Sequence, residues 1–158
     1  MKLYDLSQPL NAECSSWPFY PPFEAKYFKR KSEHGVNAQY IMSSNHMGTH
    51  LDAPKHFVTS GKTIDQLPLE WLYGPGVIVD LSDMLDDLDI FTPEDIEKRV
   101  EVREGDILII HTGWHKYSFL APTGDEERYI LRHPGPHYSL CQWLLDKKIK
   151  LWGVDMIS

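Results

Sequence analysis

The stretch HMGTHLDAPKHF, residues 46–57, contains three histidines and one aspartate in the spacing His-x3-His-x-Asp-x3-His. These four side chains are His46, His50, Asp52 and His56. Side chains of these types can ligate a metal or transfer a proton near neutral pH. Between them stand Gly48 and Pro54, which bend or fix a backbone rather than fill a core. The pattern predicts a chemically active loop.

Regular secondary structure cannot gather these side chains around one ion. On an α-helix, at about 100° per residue, His46 and His50 share a face while Asp52 points roughly the opposite way. On a strand all four share a face but extend over about 33 Å, whereas bonds to zinc are only about 2.0–2.2 Å long. We therefore expect an irregular loop, with or without one helical turn, in which Gly48 and Pro54 turn the ligands inward.

Two histidines and one carboxylate form an open set of metal ligands, which leaves positions for water and substrate. A fourth group held beside the metal, His56, is suited to remove a proton from water and deliver one to a leaving group. In the alternative interpretation His46 caps a turn, Asp52 makes an Asx-turn, and His50 and His56 lie on the surface. The four residues taken together at this spacing favour the metal site.

Residues 46–56, HMGTHLDAPKH, resemble the signature HxGTHxDxPxH of the metal-dependent cyclase-like hydrolases, a family that includes bacterial kynurenine formamidase and isatin hydrolase. Residues 4–10, YDLSQPL, match the opening strand and turn of that family. Residues 105–114 contain GDIL and HTGW, which are similar to its central strand and following loop. Residues 153–155, GVD, with Ser158, match a further strand end. The resemblance covers nearly the whole chain.

The resemblance implies that His46, His50 and Asp52 are metal ligands, with Asp52 bridging two ions. It also implies that His56 is the general acid/base. Trp17 stands where the family carries a tryptophan in its substrate pocket, so it is expected to contact substrate. The implied fold is α/β, a mixed sheet with flanking helices of the cyclase-like, kynurenine formamidase-type swivelling kind.

One departure from the family concerns the end of the chain. Family members continue past the GVDxxS strand, and that segment supplies another histidine and a glutamate that complete a two-metal centre. This sequence stops at residue 158, so we expect a single domain, residues 1–158, apparently lacking the C-terminal part. A truncated product, substitution by other residues, a one-metal site and an inactive site all remain open at this stage.

Composition favours a cytoplasmic enzyme-like domain. A formal net charge of -7 argues against a nucleic-acid partner, since phosphate binding requires a basic surface. No apolar stretch approaches the roughly 18 residues that span a membrane, and the N-terminus lacks the apolar core of a signal peptide. Two cysteines do not make a disulfide framework. The expected partners are a small-molecule substrate and, from the resemblance, further copies of the chain in a dimer or tetramer.

Apolar periodicity and turn residues predict alternating strands and helices in the second half of the chain, which favours an α/β architecture. Predicted strands cover residues 2–6, 24–31, 37–44, 76–81, 106–110 and 150–155. Predicted helices cover residues 63–72, interrupted by Pro68, then 92–100 and 136–147. The second of these helices begins with Thr-Pro-Glu-Asp, a cap, a first-turn proline and two acids at the positive end of the dipole.

Other histidines lie outside the motif. His111 and His115 follow a predicted strand, where they either supply a ligand or orient substrate, or else bond to backbone and solvent. His133 and His137 flank Pro-Gly-Pro, which is typical of a rigid turn before a helix.

The expected reaction is metal-assisted hydrolysis of an amide carbonyl. A divalent ion, with zinc preferred and manganese as the alternative, lowers the pKa of water towards about 7, and His56 carries the proton to the departing nitrogen. The substrate class, an aryl formamide or a small cyclic amide, comes only from the resemblance. The competing interpretations are an inactive or ligand-binding remnant of the family and a truncated chain that folds only within an oligomer.

Overall fold

The backbone divides between Asp52 and Ala53 into two units, which are described separately below. The structure is a computed structural model and describes residues 2–157. Ser158, which belongs to the predicted strand-end motif, lies outside the described residues. The assignment of the chain to one domain stays a prediction.

The first unit contains an antiparallel hairpin of strands β1 (Glu24–Lys29) and β2 (Ala38–Met42). Their connection holds a single helical turn, α1 (Lys31–His34), which ends at Gly35. Only the first residue of each strand is partly buried, and the other residues of both strands are exposed. The hairpin confirms the two predicted strands.

The prediction of a strand at residues 2–6 is wrong, since this segment has no regular secondary structure. The carboxylate of Asp5 accepts the backbone N–H of Ser7 at 2.9 Å, an Asx-turn that bends the chain where a strand would continue. The next backbone N–H, that of Gln8, donates to the hydroxyl of Thr49 at 3.0 Å. Both hydrogen bonds lie directly after the predicted strand and fix the chain there in a non-strand conformation.

The second unit opens with short 3-10 turns and continues as alternating strands and helices. The turns are Pro54–His56, Ile64–Gln66 and Leu69–Trp71, with a further one at Trp114–Tyr117. The strands and helices follow in this order: β3 (Gly76–Asp80), β4 (Ile90–Phe91), α2 (Pro93–Glu97), β5 (Ile107–His111), α3 (Glu126–Leu131), β6 (Gly135–Pro136), α4 (Ser139–Asp146) and β7 (Leu151–Val154).

A parallel sheet of order β3-β5-β7 forms the centre of the second unit. Val79, Leu108 and Ile110 are fully buried on one face of this sheet, where Ile96 of α2 and Leu140 of α4 belong to the same core. This strand and helix order gives the predicted α/β class. The parallel strands and the antiparallel hairpin lie in separate sheets.

Two predicted helices differ from the structure. The helix predicted at residues 63–72 is instead a pair of 3-10 turns, because Pro68 stands between them and supplies no N–H for a continuous helix. Helix α2 begins after Thr92 as predicted but ends at Glu97, short of the expected residue 100. Among the described residues, no helix is long and apolar enough to cross a membrane.

Candidate metal centre

The motif loop follows β2 directly and turns at Gly48, whose φ of 61° lies in the left-handed region that favours glycine. Beside it, Met47 forms an isolated antiparallel bridge with Ser16, and Met47 is buried together with Cys14. The N-terminal arm thus holds the loop from one side. This geometry confirms an irregular loop in place of a helix or strand.

The loop brings three of its four predicted site residues together. Nδ1 of His46 lies 2.7 Å from Oδ1 of Asp52, and Nε2 of His50 lies 3.5 Å from the same oxygen. The two imidazole rings meet edge to face, with centroids 5.3 Å apart. One ligand atom from each residue lies within 4.8 Å of the others, so the donor set can hold a metal ion. Nitrogen and carboxylate donors suit zinc or manganese.

Hydrogen bonds orient the donors. Nδ1 of His50 lies 2.9 Å from the carbonyl oxygen of Gly48. In the tautomer that donates this bond, Nε2 of His50 keeps its lone pair on the side of Asp52, the usual arrangement of a metal-binding histidine. The side chains of His46, His50 and Asp52 are 17%, 33% and 37% exposed. The cluster is therefore open to solvent and small molecules.

His56 ends the 3-10 turn Pro54–His56 in the second unit, whereas Asp52 is the last residue of the first unit. Its imidazole is exposed and lies against the ring of Phe57, with centroids 4.3 Å apart. Its backbone N–H donates to the carbonyl oxygen of Ala53. The role of His56 as general acid/base stays a prediction.

Trp17 lies in the first unit, next to the bridge between Ser16 and Met47 that joins the N-terminal arm to the motif loop. Its side chain is 40% exposed, and its carbonyl oxygen accepts the N–H of Tyr20. The ring of Tyr20 lies 6.0 Å from that of His46. The arm therefore carries aromatic side chains alongside the loop, while contact of Trp17 with substrate stays a prediction.

A second cluster forms in the second unit, from His111 at the end of β5, His115 in the following turn and Asp155 after β7. Nδ1 of His115 lies 2.8 Å, and Nε2 of His111 3.6 Å, from Oδ2 of Asp155. Both histidines were candidate ligands from the sequence, whereas the sequence predicted no site role for Asp155. The position of Asp155 at the end of a predicted strand could have indicated a role, because the carboxyl ends of parallel strands meet at one edge of a sheet.

Asp155 also fixes the loop that follows β5. The backbone N–H and the hydroxyl of Thr112 both donate to its Oδ1, and the N–H of Gly113 donates to Oδ2 at 3.0 Å. Burial raises the pKa of the Asp155 carboxyl, but hydrogen bonds from Thr112 and His115 outweigh this, so its pKa lies below the ordinary value. Asp155 is therefore a carboxylate at neutral pH.

Gly113 is required in this loop. Its φ is 75°, and a Cβ at this position would come within 2.7 Å of Cβ of Ser82. Ser82 in turn holds Asp80: its hydroxyl and backbone N–H donate to Oδ1 of Asp80, and these bonds lower the pKa of Asp80 to about 2. The same oxygen lies 3.0 Å from Nδ1 of His111.

His133 and His137 have local partners. Nδ1 of His133 lies 3.0 Å from the carbonyl oxygen of Pro134, and Nδ1 of His137 lies 2.8 Å from the hydroxyl of Ser139 at the start of α4. Both contacts agree with the predicted rigid turn before a helix.

Comparison with known families supports the resemblance first seen in the motif. The model of the Cyclase family, described as "Putative cyclase", matches residues 4–158. Kynurenine formamidase of Bacillus cereus (strain ATCC 10987 / NRS 248) is 32% identical over 159 residues, which cover 98% of this chain and 68% of that protein. The enzyme of the same name from Bacillus anthracis is 32% identical over 162 residues, 99% of this chain and 69% of that protein.

Solved structures confirm the predicted fold. Isatin hydrolase A from Ralstonia solanacearum matches with a TM-score of 0.80 and 20% identity, over 96% of this chain and 65% of that structure. A protein titled "Potential Metal-Dependent Hydrolase With Cyclase Activity" matches with a TM-score of 0.71 and 26% identity, over 97% of this chain and 67% of that structure. The chain thus spans about two thirds of the length of these proteins.

Proposed function

The chain belongs to the cyclase family, and from this premise we propose that it is a metal-dependent amidohydrolase acting on a C–N bond outside peptides. The proposed substrate is a small aryl formamide or cyclic amide, in line with the names of kynurenine formamidase and isatin hydrolase among its relatives. The observation that carries the proposal is the gathering of His46, His50 and Asp52 on one open loop. Fold alone would not carry it, since one fold supports many reactions.

His46, His50 and Asp52 are the residues that would hold the ion, with zinc preferred and manganese as the alternative. When bound, a divalent ion supplies a Lewis acid for a carbonyl group and lowers the pKa of water. Asp52 presents one oxygen to both histidines. The bond from His50 to the Gly48 carbonyl keeps the imidazole turned towards that oxygen, so the donor set is held before an ion arrives.

His56 is the proposed general acid/base. It removes a proton from the attacking water and returns it to the departing amide nitrogen, as an imidazole can do near neutral pH. Its exposed ring and its position four residues after Asp52 in the signature support this role. Trp17, with its partly exposed indole, is proposed to stack on the aromatic part of the substrate.

We also propose a cytoplasmic homo-oligomer, either a dimer or a tetramer. Cys14 and Cys141 are both free thiols, which suits a reducing compartment. Assembly into an oligomer rests on the family resemblance of the sequence. Sedimentation velocity of the purified chain tests it, because a monomer at micromolar concentration would contradict it.

Hydrolysis assays test the proposed function directly. The chain, freed of metal and then loaded with zinc or manganese, is incubated with formanilide and with isatin, and product formation is followed by absorbance. We expect turnover that requires metal and is lost on chelation. If the chain binds metal through the loop but hydrolyses neither compound, the proposed amidohydrolase activity is contradicted. A metal- or ligand-binding member of the family is then favoured.

A further inference from the structure

The cluster at the edge of the parallel sheet repeats the donor set of the motif loop. In each cluster one carboxylate oxygen lies close to a ring nitrogen of two histidines. The nitrogen–oxygen distances are 2.7 and 3.5 Å in the loop, and 2.8 and 3.6 Å at the sheet edge. One ligand atom from each of its three residues also lies within 4.8 Å of the others. We propose that Nε2 of His111, Nδ1 of His115 and Oδ2 of Asp155 form a second divalent-metal site, built entirely from residues of the second unit.

The carboxylate of this sheet-edge site is already in position. Its Oδ1 is fixed by the amide and the hydroxyl of Thr112, each at 2.6 Å, which directs Oδ2 towards the two histidines. Gly113 adds a backbone donor to Oδ2. Hydrogen-bonded support of this kind is what holds carboxylate ligands in known metal sites.

His111 is held in the same manner. Its Nδ1 lies 3.0 Å from Oδ1 of Asp80, which leaves Nε2 on the side of Asp155. Metal-binding histidines commonly donate their other ring N–H to a carboxylate. The carboxylate then sets the tautomer and the orientation of the ring. Asp80 is a positioning residue in this arrangement, and Ser82 fixes it in turn.

The site is open, and its ligands come from the ends of two neighbouring strands. The side chains of His111, His115 and Asp155 are 36%, 56% and 20% exposed, so an ion can reach all three. Asp80 ends β3, His111 ends β5 and Asp155 follows β7. An ion bound here would join the carboxyl ends of β5 and β7, while Asp80 at the end of β3 supports it through His111. Because the unfolded chain does not hold these residues together, binding would stabilise the folded second unit.

A binding experiment in a His50→Ala background isolates the sheet-edge site. The full chain is freed of metal with a chelator and titrated with Zn²⁺ by calorimetry and with Co²⁺ by visible absorption. We expect His50→Ala to retain one Zn²⁺ equivalent, and His50→Ala/His115→Ala to lose it. A His50→Ala/His133→Ala variant is the matched control and should bind as His50→Ala does, because His133 lies outside the cluster.

Thermal unfolding gives a readout that does not depend on catalysis. Zn²⁺ should raise the melting temperature of His50→Ala but not that of His50→Ala/His115→Ala. Circular dichroism of the metal-free chains checks that each is folded, and His115→Asn replaces His115→Ala if the latter is not. Binding that is absent in His50→Ala, or unchanged by either His115 substitution, would overturn the proposal whatever the hydrolysis assays show.

Asp80→Asn tests the orienting carboxylate. In the His50→Ala background we expect it to weaken Zn²⁺ binding about 10- to 100-fold, the usual effect of losing such a partner. The circular dichroism spectrum of the metal-free chain should not change, since Asp80 is exposed at the end of its strand. An affinity equal to that of the His50→Ala parent would overturn the role assigned to Asp80.

Discussion

The carboxylate of Asp155 accepts two hydrogen bonds from Thr112, one from the backbone N–H and one from the hydroxyl, each at 2.6 Å. Thr112 follows β5 and Asp155 follows β7, so this pair joins two neighbouring strands at their carboxyl ends. Thr112 is only 1% exposed, so the carboxylate of Asp155 satisfies a hydroxyl that water does not reach. The pair is therefore a structural element of the sheet edge in addition to its place beside the histidines.

Replacing Thr112 by valine should lower the free energy of unfolding by about 1.5–3 kcal/mol, the range for a buried hydrogen bond to a charged group. Valine keeps the shape of threonine but removes the hydroxyl donor, so Asp155 loses one of its partners. Urea denaturation measures the change. Thr59→Val, at an exposed position, is the control and should stay within about 0.5 kcal/mol of the wild type. Equal effects of the two substitutions would contradict this account.

Substitution of the motif histidines should separate metal binding from proton transfer. His50→Ala should bind fewer metal equivalents than the wild type, because it removes a ligand of the loop site. His56→Ala should keep the wild-type metal content while kcat falls about 100- to 10,000-fold, the usual contribution of a general acid/base. Plasma mass spectrometry gives the metal content and an amide hydrolysis assay gives kcat. Equal metal loss in both variants would refute the division of roles.

Thr92→Ala should destabilise the start of α2 by about 1 kcal/mol. The carboxylate of Asp95 accepts both the N–H and the hydroxyl of Thr92, and the hydroxyl bond is the largest cause of its lowered pKa. A lowered pKa in the folded state contributes stability above the ordinary value of 3.8, and this stability is lost as the pH falls through the folded value. Urea denaturation should therefore show that the variant and the wild type differ more in free energy of unfolding at neutral pH than at acidic pH. A constant difference would contradict the linkage.

Tyr129 should make the second unit sensitive to alkali. Its side chain is 6% exposed, and burial, with a smaller effect from the charge of Asp155, raises its pKa from 10.0 to about 12. The unfolded chain releases the phenol proton first, so the stabilisation is complete below pH 10 and is lost as the pH rises towards 12. Tyr129→Phe should flatten the decline in unfolding free energy over this interval. Urea denaturation across the interval measures it, and parallel declines in the two proteins would disprove the assignment.

Local signals in the sequence predicted much of this structure. The two hairpin strands lie where the sequence predicted strands, and the start of α2 follows from a threonine cap before proline and acids. The motif loop was predicted from ligand types and spacing that no helix or strand can satisfy. Each of these features depends on residues that lie close together along the chain.

The remaining features depend on contacts that the sequence does not display. Residues 2–6 form no strand, and directly after them the N–H groups of Ser7 and Gln8 donate to the side chains of Asp5 and Thr49. Asp155 meets His115 only because β5 and β7 are neighbours in the sheet. This contact depends on the pairing of two strands that lie far apart in sequence, and the local hydrophobic periodicity does not predict which strands pair.

The strand order β3-β5-β7 also has a consequence for the time course of folding. The hairpin of β1 and β2 closes over the connection that contains α1, which is much shorter than the crossovers of the parallel sheet, and hairpins form in about 1–10 μs. Each pairing in the parallel sheet must first close a long crossover, which contains α2 in one case and both α3 and α4 in the other. Closure of long loops slows folding, because the entropy is lost before the contacts form. Since Asp155 follows β7, the sheet-edge cluster is complete only after the second, longer crossover has closed.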